Sequence, residues 1–199
     1  MSDMDWFNYQ KEMTTRKPRP LLLKVLEFYN GFAGYAVELG CGGGVDTIEL
    51  LNAGWKVYAV DNTAYGFEYI KRNVSTDKLS NVTFKQTSFE RMDIPDADLI
   101  YSSFSISYCK PDSFDLFWSK IVNALKPGGR FAGNFFGEKS EWIDGEEDMI
   151  IKAKSEVFDL IKDFDLEYFE EKCFDKPSVI AREDQIKRWH FYNVIATKK

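Results

Sequence analysis

The chain has 199 residues, a formal net charge of −6 and a sequence pI of about 5.0. Hydrophobic residues make up 44% of it and aromatic residues 16%, which is enough for a packed core and excludes a disordered or low-complexity chain. The acidic balance and the lack of a basic run argue against nucleic acid or an anionic membrane as a partner, because both are bound through clustered Lys and Arg.

The number and spacing of the cysteines indicate the redox environment in which the protein folds. Cys41, Cys109 and Cys173 are odd in number, lie far apart and form no CxxC pair, which favours a reducing environment over a disulfide or zinc framework. Residues 1–20 contain no apolar segment behind a basic start, and no run of 18 apolar residues occurs. We therefore expect a cytoplasmic protein that is not inserted in a membrane and is a monomer or homodimer.

Short apolar runs alternate with amphipathic stretches over residues 20–136, which is typical of a parallel sheet covered by helices. Helices are predicted at residues 20–29, 45–53, 64–74 and 113–125, and strands at residues 35–39, 56–60, 82–85, 98–102 and 130–136. After a polar loop, the pattern predicts a helix over residues 149–164 and two strands, 166–174 and 189–197, that pair as an antiparallel hairpin.

The expected fold class is therefore α/β: a doubly wound, mostly parallel seven-stranded sheet with helices on both faces and a C-terminal hairpin. We expect a single domain over residues 1–199, since no linker or internal repeat is visible. Residues 1–30 would form an N-terminal lid and helix, residues 35–136 a cofactor-binding core, and residues 137–199 a C-terminal helix with the closing strands.

A glycine-rich loop follows the first predicted strand. It reads ExGxGxG, with Glu38, Gly40, Gly42 and Gly44, and leads into a helix. Such a loop lets a ligand approach the backbone beside unpaired N–H groups. A dinucleotide fingerprint would need glycine where Val45 stands, and a P-loop would need a GK[ST] sequence that is absent.

The second predicted strand ends in Asp61, 23 positions after Glu38. In nucleotide-binding α/β folds an acidic residue about 20 positions on accepts the ribose hydroxyls. An isolated Asp here would more simply cap the next helix, but its distance from the glycine loop favours the ribose function.

Together these residues resemble the class I S-adenosylmethionine-dependent methyltransferases over residues 35–136. The Leu125 to Gly129 turn, Leu-Lys-Pro-Gly-Gly, before the fifth strand matches the same family. The overall layout looks most like the small bacterial branch related to tellurite-resistance methyltransferases. The family's fold is Rossmann-like, and its cofactor is S-adenosyl-L-methionine, with S-adenosyl-L-homocysteine as the product.

The resemblance implies a cofactor site. In the family, the acidic residue and glycines of the first loop hold the methionine part of the cofactor, and the carboxylate ending the second strand binds the ribose. Ser88 would contact the adenine and Phe89 would stack on it, although the family usually has an acidic residue after the third strand. The implied cofactor-binding residues are Glu38, Gly40, Cys41, Gly42, Gly44, Asp61, Asn62, Ser88, Phe89, Ser103, Tyr9 and Arg16.

The acceptor side has a weaker signature, because methyl transfer from a sulfonium needs alignment more than a particular side chain. His190 and Tyr108 are the candidate catalytic residues. His190 would bind an acidic acceptor together with Arg182 or Arg188, or would instead be a structural residue among aromatics. Cys109 is a further candidate for the acceptor side, or a buried thiol. Tyr9 and Arg16 would close over the cofactor as a lid, or belong to a frayed terminus.

No metal site is expected, because Glu146, Glu147 and Asp148 have no His or Cys nearby in sequence. The sequence favours a methyltransferase acting on a small-molecule acceptor. Two alternatives stay open: a non-catalytic protein that binds S-adenosylmethionine, and a nicotinamide-dependent oxidoreductase with a variant loop.

Overall fold

The structure is a computed structural model that describes residues 11–141, 149–177 and 186–199, and within those ranges eight strands form one sheet. The strands are β1 (Tyr35–Leu39), β2 (Lys56–Asp61), β3 (Val82–Gln86), β4 (Ala97–Ser102), β5 (Leu125–Gly137), β6 (Ile151–Lys152), β7 (Phe164–Pro177) and β8 (Ile186–Lys198). The helices are α1 (Pro20–Phe28), α2 (Val45–Asn52), α3 (Tyr65–Asn73), α4 (Thr76–Leu79), α5 (Pro111–Ala124) and α6 (Lys154–Leu160).

The strands follow the order β3-β2-β1-β4-β5-β8-β7. Strands β1 to β5 pair in parallel, and β8 is antiparallel to both β5 and β7. The two-residue strand β6 pairs with the end of β5. The strand order reverses between β1 and β4, and in open α/β sheets such a reversal leaves a crevice at the carboxyl ends of the strands.

Two apolar cores cover the two faces of the sheet. Alternate side chains of β1 divide between them, with Val37 and Leu39 in one core and Ala36 in the other. Helix α5 contributes a continuous stripe to the first core, and its members recur at the helical spacing of three and four: Phe114, Phe117, Trp118 and Ile121. Helices α1, α2 and α3 pack on the opposite face.

The predicted strand and helix order over residues 20–136 is confirmed, with most boundaries within one or two residues. The predicted C-terminal hairpin is also confirmed, since β7 and β8 pair antiparallel. The sheet contains the seven predicted strands and one more, β6. Within the described residues, no helix has the length and apolar character needed to cross a membrane.

The predicted helix over residues 149–164 is wrong in its first part. The N–H of Ile150 donates to the carbonyl of Ser107, and Ile151 pairs with Phe136 of β5. These long-range partners take the backbone groups that a helix would need, and β-branched Ile suits a strand. The helix is confined to α6, where the carboxylate of Glu156 accepts a bond from the N–H of Ala153 at 2.6 Å.

Candidate functional site

A cavity of about 320 Å³ lies at the carboxyl ends of β1, β2, β3 and β4; we call it the loop cavity. Ten of the residues predicted for the site line it: Arg16, Gly40, Cys41, Gly42, Asp61, Asn62, Ser88, Phe89, Ser103 and Tyr108. The cavity is thus at the place that the strand order predicts for a ligand. Tyr9 lies outside the described residues, as does Arg182.

The glycine loop turns sharply after β1. The N–H groups of Gly40 and Cys41 both donate to the carbonyl of Val60, at 2.9 Å each. Gly42 has a φ of +51°, in the left-handed region that favours glycine, and a Cβ at this position would meet no protein atom within 4 Å. The backbone of Gly42 therefore faces open space on the cavity side, where a side chain would take the place of a ligand.

Asp61 fixes this loop from the end of β2. Its Oδ2 accepts a hydrogen bond from the N–H of Gly42 at 2.8 Å. Its Oδ1 accepts from the N–H and the hydroxyl of Thr63, each at 3.0 Å. The same carboxylate lines the loop cavity. Asp61 therefore both positions the loop and presents an acceptor group to a ligand.

Glu38 lies beneath the loop and is not among the lining residues. It is buried, and the hydroxyl of Thr47 donates to its Oε2. Burial, followed by repulsion from Asp46, raises the pKa of Glu38 to about 8. Gly44, the third loop glycine, is also outside the lining; it is the N-cap of α2, and its N–H donates to the carbonyl of Cys41 at 2.9 Å.

A buried carboxylate that sequence reasoning missed, Asp46, joins the N-terminal segment to this site. Arg16 donates to it through Nη1 at 2.7 Å and Nη2 at 2.9 Å, and the N–H of Arg19 donates to its Oδ1 at 2.9 Å. The hydroxyl of Tyr101 also donates to Asp46, with 3.1 Å to its Oδ2. Although burial lowers the pKa of Arg16, the hydrogen bonds and charge of Asp46 raise it above its usual value. The sequence contains one indication that Asp46 is buried. It precedes Leu50, a buried residue, by four positions, and residues four apart lie on the same face of a helix.

The segment after β4 closes another side of the cavity. Phe104 has a φ of +52°, and its N–H donates to Oδ1 of Asn134 at 3.1 Å. The hydroxyl of Ser105 donates to the carbonyl of Leu39, and it also contacts the hydroxyl of Ser102. Nothing in the sequence indicates this backbone conformation at Phe104, which was not among the predicted site residues.

The third strand leads into the remaining wall. Phe89 stacks on Phe117 with 5.0 Å between ring centroids, so its ring is held rigidly at the cavity. Ser88 lies beside it, and Glu90 also lines the cavity, with its Oε1 accepting the N–H of Lys110 at 3.1 Å. Glu90 was missed because it lies beyond the strand end where an acidic residue was sought.

Comparison with known proteins identifies the arrangement. A methyltransferase domain model matches residues 36–129. The chain is 28% identical over 102 residues to carboxy-S-adenosyl-L-methionine synthase from Cronobacter sakazakii, an alignment that covers 49% of this chain and 41% of that protein. The chain thus matches only about two-fifths of the length of that curated relative.

Solved structures share the fold. TehB from Haemophilus influenzae superposes with a TM-score of 0.77 at 15% identity, over 96% of this chain and 66% of that one. The 1,6-didemethyltoxoflavin-N1-methyltransferase from Burkholderia thailandensis, solved with S-adenosylhomocysteine and 1,6-didemethyltoxoflavin, gives 0.68 at 19% identity, over 91% and 77%. Residues 36–129 therefore form a methyltransferase domain, in a chain whose fold is that of solved S-adenosylmethionine-dependent methyltransferases.

S-adenosylmethionine is the cofactor of this family, and the loop cavity of the methyltransferase fits it. The bare backbone at Gly42 leaves open the space that a Cβ would fill, and the Asp61 carboxylate faces the same cavity. Apolar Phe89 and polar Ser88 lie on the wall after β3. These groups suit a molecule with a hydroxylated ribose and a flat base.

A second cavity of about 790 Å³ adjoins the loop cavity of the methyltransferase. Both are lined by Met13, Arg16, Arg19, Ser103, Phe104 and Tyr108. The second cavity extends from there between α1 and the outer strands β5, β8 and β7, where Asn134, Phe136, Tyr168, Phe174, Trp189 and Phe191 line it. Of the two candidate catalytic residues, Tyr108 lies at the junction of the cavities.

His190 lies away from both cavities. It is 1% exposed and packs on Gly137, where a Cβ would clash with its ring. The N–H of Lys139 donates to Nδ1 at 3.1 Å, and Nε2 lies 3.0 Å from Oε1 of Glu171. The structure therefore does not bring the predicted catalytic His190 together with the loop cavity.

The other acceptor-side candidates, Arg188 and Cys109, either pair with another residue outside the cavities or are in a form that disfavours reaction. Arg188 pairs with Asp175 at 3.0 Å on the hairpin. Cys109 is buried, and burial followed by the charge of Glu90 raises its pKa to about 11, which disfavours a thiolate. Among the described residues no cluster of three or more His, Cys, Asp or Glu suits a metal ion, and residues 146–148 lie outside them.

Proposed function

We propose that this methyltransferase transfers a methyl group from S-adenosylmethionine to a small-molecule acceptor held in the second cavity. The observation that carries this proposal is the junction of the two cavities at Ser103, Phe104 and Tyr108. A molecule in the second cavity would meet the cofactor there. The second cavity measures about 790 Å³, a size that suits a small acceptor.

We propose roles for the loop-cavity residues on the same basis. Gly40, Cys41 and Gly42 would lie against the methionine part of the cofactor, with Glu38 and Gly44 at the two ends of the loop. Asp61 would accept hydrogen bonds from the ribose, and Asn62 lies next to it on the same wall. Ser88 and Phe89 would contact the adenine. Arg16 and Ser103 would contact the cofactor at the junction.

The chemistry asks little of the protein beyond alignment. The bound cofactor supplies a methyl group on a positively charged sulfur. The chain's residues then need to hold the acceptor atom in line and exclude water, and orientation of this kind contributes on the order of 7–11 kcal/mol. Phe104 and Tyr108, at the junction, would orient the acceptor, and an acceptor that is already deprotonated needs no general base.

Calorimetric titration with S-adenosylmethionine, S-adenosylhomocysteine and NADH tests the cofactor part of the proposal. We expect the first two to bind at micromolar concentration and NADH to give no response. Binding of NADH alone would support an oxidoreductase instead. Absence of binding by both adenosyl ligands would contradict the cofactor assignment.

A turnover assay then tests the reaction. We expect S-adenosylhomocysteine to accumulate only when an acceptor is present, in a screen that includes tellurite, selenite, small thiols and aromatic acids. Mass spectrometry of the products separates a methylated acceptor from a carboxylated cofactor, the product for which the Cronobacter relative is named. Tight cofactor binding without turnover on any acceptor would favour the alternative of a non-catalytic binding protein.

A further inference from the structure

The second cavity has a chemical character that the cofactor assignment does not explain. Its walls are aromatic, and the rings contact one another rather than lying at random. Phe104 meets Phe191 edge to face with centroids 4.9 Å apart, and Trp189 at 6.2 Å. Phe174 meets Phe191 in the same manner at 6.0 Å. Such mutual packing fixes the rings in place before a ligand enters, and aromatic rings favour a flat apolar partner.

Positive charge accompanies these rings. The lining described for the second cavity includes five cationic side chains and two carboxylates, although the chain as a whole has a net charge of −6. The cations are Arg16, Arg19, Lys24, Lys172 and Lys176, and the carboxylates are Glu27 and Glu170. A cleft that is locally basic in an acidic protein attracts an anionic ligand.

Several of these charges already have partners. Arg16 is held by Asp46, and Lys172 lies 3.3 Å from the carboxylate of Glu170. The side-chain amide of Asn193 also donates to Glu170, at 2.8 Å. Lys24 lies over the ring of Tyr168 with 4.6 Å to the centroid. With Arg16 paired to Asp46 and Lys172 paired to Glu170, the lining keeps three further cations, Arg19, Lys24 and Lys176, against the one carboxylate of Glu27.

The guanidinium of Arg19 lies over the ring of Phe104 with 4.9 Å to the centroid, at the junction of the two cavities. Its Nε is buried and donates to no acceptor among the residues that the structure describes, its Nη2 lies 3.9 Å from the sulfur of Met13, and no ion pair among those residues includes it. Arg19 is half-buried at the cavity wall, and a carboxylate or phosphate matches the fork geometry of its guanidinium.

We propose that the acceptor is an aromatic small molecule that carries an oxyanion group, a carboxylate or phosphate. Its flat part packs against the ring wall of Phe104, Phe174, Trp189 and Phe191, and its oxyanion binds Arg19. That this molecule is the methyl acceptor rests on the proposed function. Its aromatic and anionic character rests on the contacts of the second cavity.

The test uses matched ligands on the whole protein saturated with S-adenosylhomocysteine. The probes are benzoate and 2-naphthoate with their carboxamides, together with 2-naphthyl phosphate and the saturated decahydronaphthalene-2-carboxylate. Because a hydrogen bond to a charged group contributes about 1.5–3 kcal/mol, we expect at least one aromatic acid to bind about tenfold or more tightly than its amide. The saturated acid should bind more weakly than 2-naphthoate.

The phosphate probe distinguishes the two sources of the oxyanion: tighter binding of 2-naphthyl phosphate than of 2-naphthoate assigns a phosphate, and the reverse assigns a carboxylate. Amides that bind as tightly as their acids, or a saturated acid that equals 2-naphthoate, would overturn the inference. Because S-adenosylhomocysteine is titrated first in the same samples, loss of its binding marks a failure of the proposed function, whereas its retention without acid selectivity marks a failure of this inference alone.

Arg19→Gln locates the oxyanion. We expect the ratio of acid to amide affinity to fall to about threefold or less in this variant, because it lacks the charge-assisted hydrogen bond that gives the acid its tenfold or greater advantage. The matched control is Arg188→Gln, which removes an Arg that lies outside the lining and pairs with Asp175. An unchanged ratio in Arg19→Gln would overturn the assignment of Arg19. The wild-type ligand pairs keep the test valid if the variant does not fold.

Discussion

The main-chain N–H of Gly42 donates a 2.8 Å hydrogen bond to Oδ2 of Asp61. This bond joins the loop after β1 to the end of β2, next to the point where the strand order reverses between β1 and β4. One carboxylate therefore sets the shape of the glycine loop and also faces the loop cavity.

Replacement of Asp61 by alanine should weaken binding of S-adenosylmethionine. Loss of charge-assisted hydrogen bonds costs about 1.5–3 kcal/mol, which corresponds to roughly a tenfold to hundredfold rise in Kd. Calorimetry on the folded variant measures the change. Asp163→Ala, at an exposed Asp between α6 and β7, is the control and should bind as the wild type does. Equal affinities in Asp61→Ala and the control would contradict the site assignment.

Replacement of Gly42 by valine should block the loop cavity. The new side chain enters the open space beside the loop and also adopts a φ of +51°, which costs about 1–2 kcal/mol in stability. Gly31→Val is a matched control, because Gly31 has a φ of +86°, has nothing within 4 Å of its Cβ position and lies outside both cavities.

We expect both glycine variants to lose stability, as measured by urea unfolding, and only Gly42→Val to lose cofactor binding in calorimetry. A Gly42→Val protein that binds S-adenosylmethionine as the wild type does would show that the cofactor does not approach this backbone.

The ion pair between Arg16 and Asp46 should contribute to stability. Asp46 is 1% exposed and Arg16 is 19% exposed, so Asp46→Ala leaves a mostly buried guanidinium without its anion. Removal of one partner of such a pair costs on the order of 3 kcal/mol in the free energy of unfolding. The exposed pair of Asp175 with Arg188 supplies the control: Asp175→Ala should cost less than about 1 kcal/mol. Similar losses in the two variants would contradict the role of Asp46 as an anchor of the N-terminal segment.

Much of the cofactor half of this molecule could be predicted from local pattern. Strand β1, the glycine loop and Asp61 are encoded by adjacent residues, so hydrophobic periodicity and glycine spacing find them. Asp46 and Phe104 are different, because their roles depend on Arg16, Tyr101 and Asn134, which are distant in sequence. The strand of Ile151 likewise depends on its pairing with Phe136.

The aromatic segment of β8 shows why the direction of a side chain is harder to predict from sequence than the presence of a strand. Trp189 and Phe191 line the second cavity, while His190 between them points to the other face of the strand. Side chains alternate along a strand, so only every second residue can share a face. Which face meets the cavity is set by the antiparallel pairing of β8 with β5 and β7, and one sequence read alone does not contain that choice.

Glu38 should make the stability depend on pH. Its pKa is raised from 4.5 to about 8 in the folded protein, so folding favours the protonated form. Between these values the folded state binds more protons than the unfolded state, and the free energy of unfolding falls as the pH rises. The slope is at most about 1.4 kcal/mol per pH unit for one proton. The stabilisation is complete below the lower value and is lost as the pH passes the upper one.

Urea unfolding at pH 5, 6, 7 and 8 measures this dependence. Glu38→Gln keeps the shape of the side chain and cannot ionise, so we expect the variant to have a flatter profile and to equal or exceed the wild type in stability at pH 8. Parallel profiles for the two proteins would show that Glu38 does not titrate with folding in this range.

His190→Ala should separate a structural from a catalytic role. The ring accepts the N–H of Lys139, contacts Glu171 and packs against Gly137, so its loss removes both polar contacts and leaves a space beside β5. We expect a loss of about 1–3 kcal/mol in the free energy of unfolding. Because His190 lies outside both cavities, cofactor affinity and turnover per folded molecule should stay within about twofold of the wild type. A variant with wild-type stability and a turnover reduced tenfold or more would instead support a catalytic role for His190.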